Sequence, residues 1–187
     1  MELIGTVIRL QVQRSRLKPG PATTRVYDPT PLLEVESLLL TPRGCIGEVD
    51  GQTVLDVHNA DHPDTRNVKL RNGVSVMTVS HYTAMRAAFG PHLVDGIAGE
   101  SLLLDTAHLD DLSGTLVLDT DDGPVRFESA PAPPCVEFSR FVSRRGAGDV
   151  GPEVMATMAA LADGARGYYL RTEGTGRVRR GATLARV

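Results

Sequence analysis

Hydrophobic residues gather in strand-length runs separated by turns rich in Gly, Pro and Asp. Leu3–Gln13 reads as a strand, and Arg14–Pro31, punctuated by Pro19, Pro21, Pro29 and Pro31, reads as a long excursion. Leu32–Leu40 and Thr53–Val57 flank PRGCIGEVDGQ and read as a strand pair around a turn. The β-branched run Val74–Val79 predicts a buried strand. It leads into a helix over His81–Phe89, with Ser80 as cap and Gly90 as stop. Ser101–Leu104 is a further strand, and Thr115–Asp119 and Val125–Ser129 flank the hairpin turn DTDDGP. A second helix follows Cys135, and Gly151-Pro152 opens a third over Glu153–Ala162. The closing segments GYYLRT and ATLARV read as a final strand pair. Regular β-α alternation and fixed-period repeats are both missing. The pattern therefore predicts one mostly-β domain over residues 1–187, a closed barrel with a few short helices in its connections.

Composition narrows the classes of function. A chain of 187 residues is long enough for a substantial core, and a net charge of −3 gives no electrostatic reason to expect nucleic acid. No apolar run approaches membrane-spanning length, and MELIGTVIRLQVQ lacks the basic leader and long apolar core of a signal peptide. The expectation is a cytoplasmic protein with neither membrane nor nucleic acid as partner.

Two cysteines, Cys45 and Cys135, stand far apart without a CxxC element, so a cysteine-based zinc site is not expected. Cys45 sits in the turn-rich TPRGCIGEVDG and is read as structural. Cys135 follows APAPP, whose prolines fix φ and push their predecessors into extended backbone. It is thereby delivered to a helix start, where partial positive charge favours a thiolate. The competing reading is a small apolar core residue.

Other candidates surround it in the sequence. The polar loop carrying His58, His62, Arg66, Lys69, Arg71 and Asn72 is either an anion cradle or a solvated basic loop. His58 and His62 are four apart, but Pro63 argues against a helix presenting both to one metal. The glycines of Gly96-Ile-Ala-Gly99-Glu100-Ser101 permit close backbone approach to a ligand or simply form a tight turn. In Gly164-Ala-Arg166-Gly167, Arg166 either contacts an anion or caps the preceding helix. His81, His92 and His108 are available as partners for a nucleophilic cysteine, and nothing in the sequence selects one.

Taken in order, VESLLL, RNGVSVMTVSHYTAMRA, GIAGESLLL, APPC and GARGYYLRTEGTGRVRRG resemble the MOSC family, over roughly residues 32–187. This is the domain at the C-terminus of molybdenum-cofactor sulfurases, also found as stand-alone bacterial proteins. The resemblance implies a β-barrel whose functional cysteine follows the proline-rich stretch, here Cys135. It implies that Cys135 either carries sulfur as a persulfide or ligates the molybdenum of a bound molybdopterin. It further implies cofactor contacts from Arg71, Asn72, Gly99, Glu100, Ser101 and Arg166, with Ser101 standing where the family's motif usually has Asn. Partners implied are a cysteine-desulfurase-type, pyridoxal-phosphate-linked sulfur donor or a separate electron-transfer protein. The latter would serve reduction of N-hydroxylated compounds. The early Gly-Asp-Arg-His-like element of stand-alone members is missing, and RRGAT replaces the usual Gly-Asp in the last turn. A barrel that has lost the cofactor and serves only as a binding module is the alternative from another class.

Overall fold

The computed structural model describes residues 1–65, 67, 69–106 and 111–187. The candidates Arg66 and His108 lie outside the described residues. Along the chain come β1 (Glu2–Gln13), β2 (Leu32–Glu34), β3 (Ser37–Thr41), β4 (Gly44–Val49) and β5 (Gln52–Leu55). After them come β6 (Val74–Thr78), α1 (Val79–Phe89), β7 (Leu102–Asp105), β8 (Gly114–Leu118) and β9 (Val125–Pro131). The last five elements are α2 (Val136–Val142), α3 (Pro152–Ala160), β10 (Tyr168–Arg171), β11 (Gly176–Arg179) and β12 (Thr183–Arg186).

Seven of the described strands close a ring in the order β1-β12-β8-β9-β10-β6-β7, with β7 returning to β1. The expected mostly-β closed barrel is the fold observed. β1 is long enough to serve three neighbours in succession. Glu2–Thr6 pairs with β12, Thr6–Leu10 with β7, and Gln11–Gln13 continues past the ring to pair with β2. Its neighbours in the ring are antiparallel; β6 and β7 pair parallel, and α1 supplies the crossover that such a pair requires.

That parallel pair explains why VSVMTV and LLL read as continuous apolar runs. Val74, Val76, Leu102 and Leu104 point into the barrel core with Leu10, Leu116 and Phe127. Met77 and Leu103, on the opposite face, pack under the helices with Tyr82, Met85, Phe138 and Leu161. Both faces are buried, so alternation with polar residues is lost. Leu17 and Tyr27 of the long excursion join this second cluster, which fixes the excursion across α2.

Several boundaries differ from the sequence reading. Leu32–Leu40 breaks at Val35-Glu36 into β2 and β3, and neither belongs to the ring; β12 completes it instead. The stretch read as a turn, PRGCIGEVDGQ, contains the whole of β4, which with β11, β3 and β5 forms a separate four-stranded sheet. Gly47 disguised it: a Cβ there would lie 2.8 Å from Val35 Cγ1 and 3.0 Å from Val12 Cγ1, so close packing on β1 demands glycine inside a strand. GYYLRT and ATLARV do not pair with each other; β10 joins β6 and β9, while β12 joins β1 and β8. The first helix begins two residues earlier than expected. Thr78 is its N-cap, accepting from the His81 amide at 3.3 Å, with the His81 ring answering in a capping box.

Candidate functional site

The proline-rich segment ends in extended backbone at Cys135 (φ −130°, ψ 132°), and this residue is the N-cap of α2. A cysteine caps only weakly. Its Sγ accepts from the Phe138 amide at 3.4 Å, and Lys18 Nζ donates to the same sulfur at 3.4 Å. Two donors thus converge on the sulfur. The thiol also lies 3.3 Å from Glu137 Oε2, where the carboxylate accepts from S–H. Glu137 Oε1 lies 3.8 Å from Arg25. Burial alone would raise the Glu137 carboxyl, but its own amide, the Cys135 thiol, Lys18 and Arg25 hold it below its usual value. Glu137 is thus turned back onto the sulfur rather than out to solvent.

Lys18 and Arg25 both come from the excursion, anchored by Leu17 and Tyr27. The Tyr27 ring lies 4.9 Å from Phe138 and 5.2 Å from Phe141, centroid to centroid. The Tyr27 hydroxyl donates to Ile97 O at 2.7 Å. One aromatic cluster therefore holds together the excursion, the cysteine helix and the loop before β7.

Beside the cysteine lie two adjoining cavities. The inner one, about 110 Å³, is lined by Tyr27, Met77, Gly99, Glu100, Arg166 and Tyr168, among others. The outer one, about 330 Å³, is lined by Arg16, Pro19, Arg25 and Asp64, among others. Gln13, Leu17, Lys18, His58 and Asn72 line both, so the two form one continuous cleft. Cys135 stands at its rim, reached through Lys18 and through Arg166, whose Nη1 donates to Pro133 O at 3.0 Å. The Arg166 guanidinium also sits 5.1 Å above the Phe138 ring. It leaves Nε buried without a partner among the described residues.

Glu100 closes the inner end. Its side chain is buried, Oε2 accepts from the Tyr82 hydroxyl at 2.7 Å, and Oε1 has no partner among the described residues. Burial pushes its carboxyl up to about 7, against the lowering effect of the Tyr82 bond. Gly99 places it there. At φ +84°, the Gly99 carbonyl accepts from Gln13 Nε2 at 2.7 Å, and a Cβ at this position would lie 2.8 Å from that nitrogen. The glycine's close approach is to Gln13 of β1.

Of the residues named from the sequence, Asn72, Gly99, Glu100 and Arg166 line the inner cavity together. Arg71 and Ser101 line neither cavity. The Arg71 side chain is exposed, because its backbone amide is tied to Asn67 Oδ1 at 2.9 Å at the loop's outer turn. Ser101 is buried against β6, trading hydrogen bonds with Ser75. Four contributors escaped the sequence reading: Lys18, Arg25, Gln13 and Asp56. Buried Asp56 accepts from the amides of Gln13 (2.7 Å) and His58 (2.8 Å) and from His58 Nδ1 at 3.1 Å. That pairing orients the His58 ring at the junction of the cavities.

The other histidines among the described residues are structurally committed. His81 spans Thr78 and Gly164 O, His92 spans Val142 O and Arg144, and His62 spans Arg14 O and the Asp64 amide. No cluster of His, Cys, Asp and Glu suited to a metal ion occurs among the described residues. Nor is any helix among them long and apolar enough to cross a membrane.

No family model matches the sequence, and no curated protein sequence matches it. Solved structures do. The YuaD protein from Bacillus subtilis superimposes with a TM-score of 0.60 at 11% identity, covering 96% of this chain and 93% of that one. YiiM from Geobacillus stearothermophilus gives 0.54 at 15% identity, covering 97% of this chain and 74% of that one. YiiM from Escherichia coli gives 0.53 at 16% identity, covering 83% and 66%. At these identities the likeness is one of fold, and the shared fold is the MOSC-like barrel expected from the sequence motifs.

Proposed function

We propose that the cleft binds the molybdenum cofactor expected from the MOSC resemblance, with Cys135 as the thiolate that ligates molybdenum. The observation that carries this reading is the position of the Cys135 sulfur at the rim of a cation-rich cleft, in contact with Lys18, which lines both cavities. The residues fit such a group. Arg166 and Glu100 each keep a buried polar atom without a partner among the described residues, and a pterin phosphate carries both acceptors and N–H donors. A soft thiolate suits molybdenum. When bound, the cofactor supplies a redox-active metal able to exchange oxygen or sulfur with a substrate. The protein's own part is to orient and screen: Arg166, Lys18 and Asn72 hold the anion, while Gln13 fixes the Gly99 turn. Turnover of N-hydroxylated compounds would draw electrons from a separate protein.

One observation favours a second reading, that Cys135 carries sulfur. It is partly exposed at the cleft rim and lines neither cavity, so another protein can reach it. The Cys135 thiolate would attack the outer sulfur of a donor persulfide, forming its own S–S bond and releasing the donor thiolate. The donor class is a pyridoxal-phosphate-linked cysteine desulfurase. Metal analysis of protein purified from a cofactor-producing host separates the readings. Stoichiometric molybdenum lost in Cys135→Ser supports ligation, and cyanide-labile sulfur without molybdenum supports the carrier. With neither, both readings fall and the barrel is a binding module.

A further inference from the structure

We infer that Asp56 and His58 form the proton-exchange pair of the cleft. His58 Nε2 takes the proton of a weakly acidic O–H or S–H ligand, and the cations around it hold the resulting anion. This rests on reading the cleft as a ligand site, but on neither molybdenum nor sulfur bound at Cys135.

The described histidines differ in one respect. His62, His81 and His92 each have both ring nitrogens hydrogen-bonded to protein groups. His58 has only one. Its Nδ1 lies 3.1 Å from Asp56 Oδ1, and Nε2 has no hydrogen-bond partner among the described residues. An ionised carboxylate can only accept, so in the neutral ring the proton stands on Nδ1 and the lone pair on Nε2. The His58 side chain is 34% exposed and lines both cavities, so that lone pair is open to whatever occupies the cleft. Its setting is anchored on every side. Buried Asp56 also accepts from the amides of Gln13 and His58, and its own amide donates to Cys45 O at 3.2 Å. The Val57 amide donates to Gln13 O and Asn67 Nδ2 to His58 O, both at 2.8 Å. A base that must keep one tautomer and one orientation needs such a partner, and Asp56 is the positioning residue that supplies it.

The charges that share the cleft with the ring decide what it takes the proton from. Arg16, Lys18, Arg25 and Asp64 line the outer cavity with His58, and the inner cavity adds Arg166 and Glu100. Cations outnumber carboxylates, which favours a bound anion. A ligand already ionised in water would bring Nε2 no donor, and a permanently neutral one would leave the cations without a counter-charge. A weak acid satisfies both. Its proton passes to Nε2, the conjugate base stays among the cations, and the Asp56 carboxylate balances the imidazolium. Cys135 is not that acid, because its sulfur contacts Lys18, the Phe138 amide and Glu137 instead. Once protonated, His58 can return the same proton to a departing oxygen or sulfur.

An N-hydroxylated carbonyl and a thiol share this weak acidity, and one experiment distinguishes them. Binding of acetohydroxamic acid and of mercaptoethanol to the full chain is compared with binding of their O-methyl and S-methyl ethers, while heteronuclear NMR follows the His58 ring. At mildly alkaline pH the free protein should show His58 protonated at Nδ1 and bare at Nε2. Saturation with the preferred acid should convert it to the doubly protonated ring. That acid's ether should bind about tenfold more weakly, the value of one hydrogen bond to a charged group. The acid with the larger preference over its ether identifies the ligand as an O–H or an S–H compound. His58→Gln should bring acid and ether within about twofold of each other. Asp56→Asn should populate the Nε2–H tautomer and shrink the same preference. If that variant does not fold, the tautomer of the unaltered protein and the His58→Gln ratio decide the matter. The inference is overturned by a free ring protonated at Nε2, by no binding of either acid at millimolar concentration, or by ethers that bind as well as their acids. A preference that survives in His58→Gln, or an unchanged tautomer in folded Asp56→Asn, overturns it too. Molybdenum and sulfur loading on Cys135 are scored separately, so either result can stand without the other.

Discussion

The two cysteines carry the same side chain into opposite environments. Cys45 is fully buried in the barrel core beside Leu38, Leu40 and Val178. Burial drives its thiol far above the usual range, the negative charge of Asp56 adds to this, and a contact with Ser101 opposes it. Cys135 ends a stiff, proline-rich segment at the rim of a cleft, with a lysine, a helix amide and a carboxylate on its sulfur. The difference lies in the backbone that delivers them. β4 turns Cys45 into a core shared with β3, whereas the proline-rich segment delivers Cys135 to the edge of the aromatic cluster, against which it packs only partly buried.

Thiol labelling should show this contrast at its largest. Cys45 can react only through opening of the core, which for a domain of ordinary stability makes it at least about a thousandfold slower than Cys135. Comparable rates for Cys135→Ser and Cys45→Ser proteins would break the comparison.

Glu100 lies between the two environments, buried like Cys45 but facing the cleft like Cys135. Its folded value is above its unfolded one. The folded state therefore keeps the proton between pH 4.5 and about 7 while the unfolded state releases it, and stability falls as pH rises through that window. A rise from 4.5 to about 7, at about 1.4 kcal/mol per pH unit, amounts to about 3 kcal/mol. Glu100→Gln should recover most of it at pH 8 and little at pH 4, read from urea midpoints. A variant equally displaced at both pH values would show that Glu100 is not the titrating group.

Replacing Cys45 with serine puts a hydroxyl into the barrel core and should cost about 1–2 kcal/mol, leaving loading on Cys135 intact. The smallest effect expected is on the sulfur's immediate neighbours. Glu137→Gln should speed Cys135 labelling about two- to fivefold at low salt, and Lys18→Met should slow it by a similar factor, both effects shrinking in high salt. Shifts in the same direction would mean that neither charge acts on the sulfur.

What the sequence revealed follows from what is local. Strands with β-branched or leucine-rich runs, the DTDDGP hairpin and the helix after Cys135 were all visible because their signals lie within a few residues. The proline-rich approach to Cys135 was legible for the same reason. Pairing was not. β12 finds β1 across nearly the whole chain, and its pairing with β8 and that of β11 with β3 also join distant segments, so no local pattern encodes such partners. β4 was hidden because packing on Val12 and Val35 required a glycine where strand propensity is poor. In the cleft, Glu100 and Arg166 stand in short glycine-rich motifs that draw attention. Lys18 stands in an undistinguished excursion 117 positions before the cysteine it touches. Arg71 drew attention as part of a basic loop, yet an Asn67 side chain holds that loop's backbone so that the arginine faces outward.

The closure of the ring by β12 has a consequence for how the protein is made. The amino-terminal half of β1 and the free edge of β8 wait for residues 183–186, which are made after every other described strand of the ring. Until then two strand edges stand open, the state in which β-proteins pair with one another rather than with themselves. Synthesis is therefore the vulnerable period for this molecule. A pause in elongation just before residues 183–186 should lower soluble yield more than the stability of the finished barrel would lead one to expect.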